Sequence, residues 1–278
     1  MFFLAAKNNN AEVFELFTTY KETRMIDWNI QNQNHNSITT IIARYGTKIM
    51  IDKVMKIDNI DFNLYDENYN TISMIAVLRN IPYLVEKLIK KKNVKWNSTD
   101  KFGNTTAMLA IKADSYNCLK LLRTIDCIDW NKENSIGNTP AIITIKSNNI
   151  KCFKTLLNIN AVNWNIHNKR NESPLTISIK HENDFYFVNL LNLEKIEIDT
   201  TNLKKQNLLK KASGKVTRYI RFKTKTTARN TTEDRQNIYF ELLHALKNNF
   251  NKLYIKILLS TVTNDDIKNL VIHSINIR

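Results

Sequence analysis

Catalysis needs a nucleophile, a titratable partner or a set of metal ligands, and the residues that could supply them here are five histidines and three cysteines. His35, His167, His181, His244 and His273 show no HExxH spacing, which would set two imidazoles on one helix face around zinc, and no cysteine pattern accompanies them. Cys118, Cys127 and Cys152 contain no CxxC pair, so neither a disulfide framework nor a zinc cluster is expected. A Walker-type or dinucleotide loop needs several glycines close together, and the whole chain has four. No cofactor, metal or catalytic residue is therefore expected, and the chain reads as a non-enzyme.

The chemistry that does stand out is ionic. Lys204, Lys205, Lys210, Lys211, Lys215, Arg218, Arg221, Lys223, Lys225 and Arg229 are ten cations with no acid anywhere in residues 200–232, in a chain of formal net charge +15. Such a run attracts polyanions. Three readings stay open: a solvated positive face, a contact to nucleic acid or another phosphate-rich partner, and a nuclear-import or acidic-protein docking patch. Tyr219 and Phe222, interleaved with the cations, suit either base stacking or a share of the core.

The elements that position these residues are set by a repeat. An aromatic followed by Asn recurs at Trp28-Asn29, Phe62-Asn63, Trp96-Asn97, Trp130-Asn131 and Trp164-Asn165, each step being 34 residues, and Ile198-Asp199 softens the same pair one step later. Three positions after the Asn stand Asn32, Asp66, Asp100, Asn134, Asn168 and Asn202, side chains that close an Asx-turn. Five further on come Ser37, Thr71, Thr105, Thr139 and Ser173, placed to cap a helix, with Pro140 and Pro174 just inside it. A short helix follows, as over Ile72 to Arg79 or Pro140 to Lys146, with a small residue at Ala76, Ala110, Thr144 and Ser178. A polar break such as Asn148-Asn149 leads to a second helix with apolar residues at i, i+3 and i+4, as in Leu84, Val85, Leu88 and Ile89 or Phe153, Leu156 and Leu157. The aromatic column, being tied to the period, is assigned to the core, and Cys118 and Cys152, one period apart, to equivalent buried helix positions.

Gly103-Asn104-Thr105-Thr106-Ala107-Met108-Leu109-Ala110 and Gly137-Asn138-Thr139-Pro140-Ala141-Ile142-Ile143-Thr144 resemble the ankyrin repeat's glycine turn and Thr-Pro-Leu-His-x-Ala signature. The resemblance implies an all-α repeat solenoid of helix, turn, helix and hairpin units, about seven to eight including degenerate ends, with the hairpin tips and first helices forming a concave binding face. The signature histidine is absent, the turn glycine survives only at Gly103 and Gly137, and an aromatic replaces the usual small aliphatic before Asn. These departures predict weaker hydrogen bonding between repeats and aromatic stacking in its place. Met1 to Asp27 fits an N-terminal repeat without its hairpin, with Ala5-Ala6 in its first helix and Val13, Leu16 and Phe17 in its second.

The array is expected over residues 1–203, a degenerate basic repeat and loop over 204–234, and a degenerate repeat with a capping helix, Asp265 to Ile277, over 235–278. Ala212 keeps the small-residue column and Ala245 meets it one position early. By position in the family, the implied partner contacts are the hairpin-tip side chains Gln33, His35, Glu67, Tyr69, Lys101, Phe102, Lys169 and Arg170. The resulting expectation is a protein–protein interaction scaffold or adaptor. The alternatives are nucleic-acid binding through the basic segment, or a ubiquitin-ligase adaptor in which Leu258-Leu259-Ser260, Asp266-Ile267 and Leu270 resemble an F-box-like C-terminus.

With 43% hydrophobic residues the chain can bury a core, and no apolar stretch reaches the roughly 18 residues of a membrane span. The apolar run at the start gives way to Lys7-Asn8-Asn9-Asn10 after six residues, which is too short for a secretion signal. The expected setting is therefore intracellular, cytoplasm or nucleus, with a monomeric chain and no membrane partner. Heavy use of Asn, Ile and Lys resembles proteins of AT-rich genomes such as those of large DNA viruses, protists or intracellular bacteria, in which case the compartment is the host cell's.

Overall fold

The computed structural model describes residues 1–19, 26–181, 184–191, 193, 195–197, 206 and 208. The basic side chains Lys204 to Arg229, the F-box-like stretch, the C-terminal capping helix and the repeats expected beyond Leu191 lie outside the described residues. The chain divides into two compact units, residues 1–163 and 164–278.

In the first unit ten helices form five pairs: α1 (Phe2–Lys7) with α2 (Ala11–Thr19), α3 (Ile38–Tyr45) with α4 (Lys48–Met55), α5 (Ile72–Leu78) with α6 (Pro82–Ile89), α7 (Thr106–Lys112) with α8 (Tyr116–Leu122), and α9 (Pro140–Lys146) with α10 (Ile150–Leu157). First helices pack on first helices, α1 on α3 on α5 on α7 on α9, and second helices on second helices, giving two layers. The second unit contributes one described pair, α11 (Pro174–Lys180) and α12 (Asp184–Leu191), which pack on each other.

Each boundary has a local cause. Ser37, Thr105, Thr139 and Ser173 accept the backbone N–H three residues on, as expected of caps, and Ser173 with Thr176 closes a reciprocal capping box. Thr71 makes no cap bond; its hydroxyl meets Ser73 Oγ at 2.9 Å, and Ser73 in turn meets Thr106 of the next repeat at 3.2 Å. The first helices of four repeats end on a left-handed Asn9, Asn80, Asp114 or Asn148, with φ of 51 to 53°. The following N–H of Asn10, Ile81, Ser115 or Asn149 then bonds back to the carbonyl of Ala5, Ala76, Ala110 or Thr144, a Schellman closure that lets the chain reverse into the second helix. Arg79 is thus the cap of α5 rather than its last helical residue.

The core lies between the layers. Ile72, Met74, Ala76 and Val77 of α5 are fully buried against Leu84, Val85 and Leu88 of α6, and the neighbouring pairs repeat the arrangement. Phe62, Trp96, Trp130 and Trp164 are buried, whereas Trp28 at the start of the same column is only half-buried. In the N-terminal repeat Ala5 and Ala6 are buried as expected, but the core side chain of α2 is Phe14, while Val13 and Leu16 face solvent. Phe14 and Phe2 pack on Trp28 with ring centroids 5.7 and 5.3 Å away. The expected β-hairpins are reduced to two isolated antiparallel bridges, Tyr65 with Thr71 and Thr99 with Thr105, and no longer strand occurs among the described residues.

Candidate functional site

The loops between repeats are built by one asparagine and one Asx side chain, used five times. Asn29 donates from Nδ2 to the carbonyl of Asn59 at 2.9 Å and accepts the N–H of Asp61 at 2.7 Å. Asn63 does the same with Asn93 and Lys95, Asn97 with Cys127 and Asp129, and Asn131 with Ala161 and Asn163. Within the second unit Asn165 bonds Lys195 and Glu197 identically. A primary amide is suited to this because one short side chain carries both a donor and an acceptor. The ladder corrects the expectation of weakened bonding between repeats. Among the described residues, moreover, no ring pair links Trp28 to Phe62, Phe62 to Trp96 or Trp96 to Trp130.

The Asx column shapes the tips. Oδ1 of Asn32, Asp66, Asp100, Asn134 and Asn168 accepts the N–H groups two and four residues on, at 2.7 to 3.2 Å. The residue three places on is left-handed in every tip: His35, Tyr69, Gly103, Gly137 and Asn171, with φ between 57 and 78°. Where glycine is missing, then, the turn survives with a side chain held in a conformation that costs about 1 to 2 kcal/mol. Successive tips are tied by backbone bonds from Lys101 N–H to Asn68 and from Ser135 N–H to Phe102, at 3.1 and 3.0 Å. Buried Asp66 also pairs with the Arg44 guanidinium of the preceding first helix.

On this frame the expected contact residues Gln33, His35, Glu67, Tyr69, Lys101 and Phe102 all stand exposed on three tips of the first unit, and Lys169 and Arg170 stand exposed on the tip of the second. Lys101 Nζ reaches Asn68 Oδ1 at 2.6 Å and lies 5.3 Å from the Phe102 ring. Tyr69 stacks on Tyr65 with ring centroids 4.9 Å apart and planes 16° apart. Two side chains that sequence reasoning missed join them. Tyr65 is 45% exposed and Ile136 60%, beside Tyr69 at 53% and Phe102 at 60%. Ile136 was findable, since it stands one period after Phe102; Tyr65 had no such signal, because its column otherwise holds Gln31, Thr99, Glu133 and His167.

Nothing at the tips is arranged for bond-making. Among the described residues no three His, Cys, Asp or Glu side chains gather in metal-binding geometry, and no helix is long and apolar enough to cross a membrane. The Cys118 and Cys152 thiols are buried, and burial pushes them up to about 11 and about 12 respectively, so neither is a thiolate nucleophile at neutral pH.

The family described as Ankyrin repeats (3 copies) matches residues 73–163 and, overlapping them, 108–202. The chain is similar to the ankyrin repeat domain of Bcl-3, described as a unique member of the IkappaB protein family, over 69% of this chain and 82% of that one, with a TM-score of 0.59 and 14% identity. At that identity the likeness speaks to fold alone. No curated protein sequence matches the chain. The period, the paired helices, the Asx-closed tips and these matches agree that residues 73–202 are ankyrin repeats and that the chain has the ankyrin-repeat fold, an all-α repeat solenoid.

Proposed function

We propose that the protein is a non-catalytic scaffold that binds another protein through its tips and first helices. The observation that carries this reading is the contrast between frame and surface. One hydrogen-bonding scheme rebuilds the tip five times, while the exposed side chains it presents differ from tip to tip: Gln33 and His35, Glu67 and Tyr69, Lys101 and Phe102, Lys169 and Arg170. A constant support with a variable surface is the economy of a recognition module. Three free thiols, two of them buried, suit a reducing intracellular compartment.

The test is capture of partners from a lysate treated with nuclease at physiological salt. Intact protein is compared with a Tyr69→Ser, Lys101→Ser, Phe102→Ser variant that melts like the parent. The scaffold reading expects specific proteins on the intact chain and their loss from the variant. Proteins retained equally by both, or none at all, contradict it.

The ten-cation run at residues 204–229 favours a second reading, nucleic-acid binding, whose affinity falls steeply with salt as counterions are released. Changing Lys215, Arg218, Arg221, Lys223 and Lys225 to Ser abolishes that binding if the reading is right, and leaves it intact if the run is only a solvated face.

A further inference from the structure

The N-terminal repeat, α1 with α2, carries the apolar columns of the repeats that follow it, but wears them on the surface. Its register is fixed by the chain reversal, where the Asn10 N–H bonds the Ala5 carbonyl as Ile81 bonds Ala76, Ser115 bonds Ala110 and Asn149 bonds Thr144. Phe3 and Leu4 therefore stand where Met74 and Ile75, Met108 and Leu109, and Ile142 and Ile143 stand. In the second helix the Phe14 N–H bonds Asn10 as Val85 bonds Ile81, Leu119 bonds Ser115 and Phe153 bonds Asn149. That sets Val13 in the column of Leu84, Cys118 and Cys152.

The residue types match along these columns and the burial does not. Met74, Met108, Ile142, Leu84, Cys118 and Cys152 are fully buried, and Ile75, Leu109 and Ile143 nearly so. Phe3 is only half-buried, Leu4 is 57% exposed and Val13 38%. Leu16, one turn on from Val13, adds a fourth exposed apolar side chain. Since α1 packs on α2 and α3, and α2 on α1 and α4, these residues occupy the side turned away from the rest of the array. A solenoid end that meets water carries a polar outer face, and this one does not.

We infer that this side is an interface between two copies of the chain, N-terminal repeat against N-terminal repeat about a two-fold axis. Continuity sets the occupant: the side prolongs the columns by which each repeat stacks on the next, so the surface that fits it is another helix pair with the same columns, and a second copy presents one. A two-fold axis brings such a patch onto itself, and the assembly closes at two chains. The charged residues of the two helices are Lys7, Glu12 and Glu15, which give no cationic bias toward a lipid surface. With helices about 9 and 13 Å long, the face is smaller than the roughly 800 Å² that each partner of a stable complex buries, so pairing is weak and depends on concentration. This dimer replaces the expectation of a monomeric chain. It uses no tip residue, stands apart from the scaffold reading and joins two sets of tips in one assembly.

The test is sedimentation velocity of the full chain over a range of about 1 to 200 µM, which spans the dissociation constants of weak pairs. The parent is compared with Leu4→Glu, Leu16→Glu and with Tyr69→Ser, Phe102→Ser, each melting like the parent. The inference expects the parent to pass from one chain to two as concentration rises. The glutamate variant should weaken pairing about tenfold or more, and the tip variant should pair like the parent. A second measurement needs no loss of function: a benzophenone side chain at position 16, irradiated at the highest concentration, should join residues 1–19 of one copy to residues 1–19 of the other. A single chain at every concentration overturns the inference. So does growth beyond two chains, a dimer that survives the glutamates or is lost with the tip substitutions, or adducts that map outside residues 1–19.

Discussion

Replacing Asn97 by alanine removes one rung of the ladder that joins repeats. The side chain donates to the Cys127 carbonyl at 2.7 Å and accepts the Asp129 N–H at 2.9 Å. Each such bond contributes about 1 kcal/mol net, and Asn97 is only half-buried, so water recovers part of the loss. The expected cost is about 1 to 2 kcal/mol, read by equilibrium urea unfolding followed through tryptophan fluorescence. Asn97→Asp separates the two bonds: it keeps the acceptor for Asp129 but removes the donor and sets a carboxylate against the Cys127 carbonyl. It should therefore be at least as destabilising as alanine, although it is the smaller change in shape. Hydrogen exchange gives the local readout, because the Asp129 amide loses its acceptor in Asn97→Ala and keeps it in Asn97→Asp. A cost below about 0.5 kcal/mol, together with unchanged exchange at Asp129, would refute the claim that the amide ladder carries the contact between repeats.

Gly103→Ala should destabilise by more than about 1 kcal/mol, since φ is 76° and a Cβ would lie 2.7 Å from the Ser135 backbone nitrogen; a melting temperature equal to the parent's contradicts this. Tyr69→Gly relieves about 1 kcal/mol of left-handed strain and forfeits a ring stack of similar size, so its thermal midpoint should stay near the parent's, whereas a large loss would mean that Tyr69 is structural. In native protein a thiol reagent should label Cys127 rapidly, and Cys118 and Cys152 only on unfolding; rapid labelling of all three would contradict their burial. Hydrogen bonds from Lys87 and Tyr83 hold Asp52 below the usual aspartate range, so their help to the folded state is complete above that range and fades as pH falls through the lowered value. In Lys87→Met, carboxyl NMR should show the Asp52 midpoint rising toward the ordinary value, and an unmoved midpoint would remove the lysine as the cause.

Much of this architecture is legible in the sequence. Ser37, Thr105, Thr139 and Ser173 cap where their period puts them, and Trp96 and Trp130 are buried for the reason that they recur. Local chemistry that depends on residue type at a fixed offset is readable in this way. Thr71 stands in the same column and makes no cap bond, a difference its residue type does not announce. Phe14 escaped because Val13, Leu16 and Phe17 are equally apolar, and which face of α2 is covered depends on Trp28, far along the chain. The ladder is carried by the amide of each aromatic-Asn pair rather than by its ring, since Asn29, Asn63, Asn97, Asn131 and Asn165 each donate and accept between repeats. The missing turn glycines do not break the tips, because His35, Tyr69 and Asn171 adopt the same left-handed turn. The tip residues are placed by the fold, whereas their use by a partner is a property of a second molecule.

The central claim is that the tips are the contact surface, and site-specific photo-crosslinking tests it most directly. A benzophenone side chain is placed at Phe102 on a tip, and in a second protein at Asn117 on the exposed side of α8. Both are irradiated in nuclease-treated lysate. The account predicts discrete protein adducts from position 102 and none from 117. Equal adducts from both, or from neither, would contradict it.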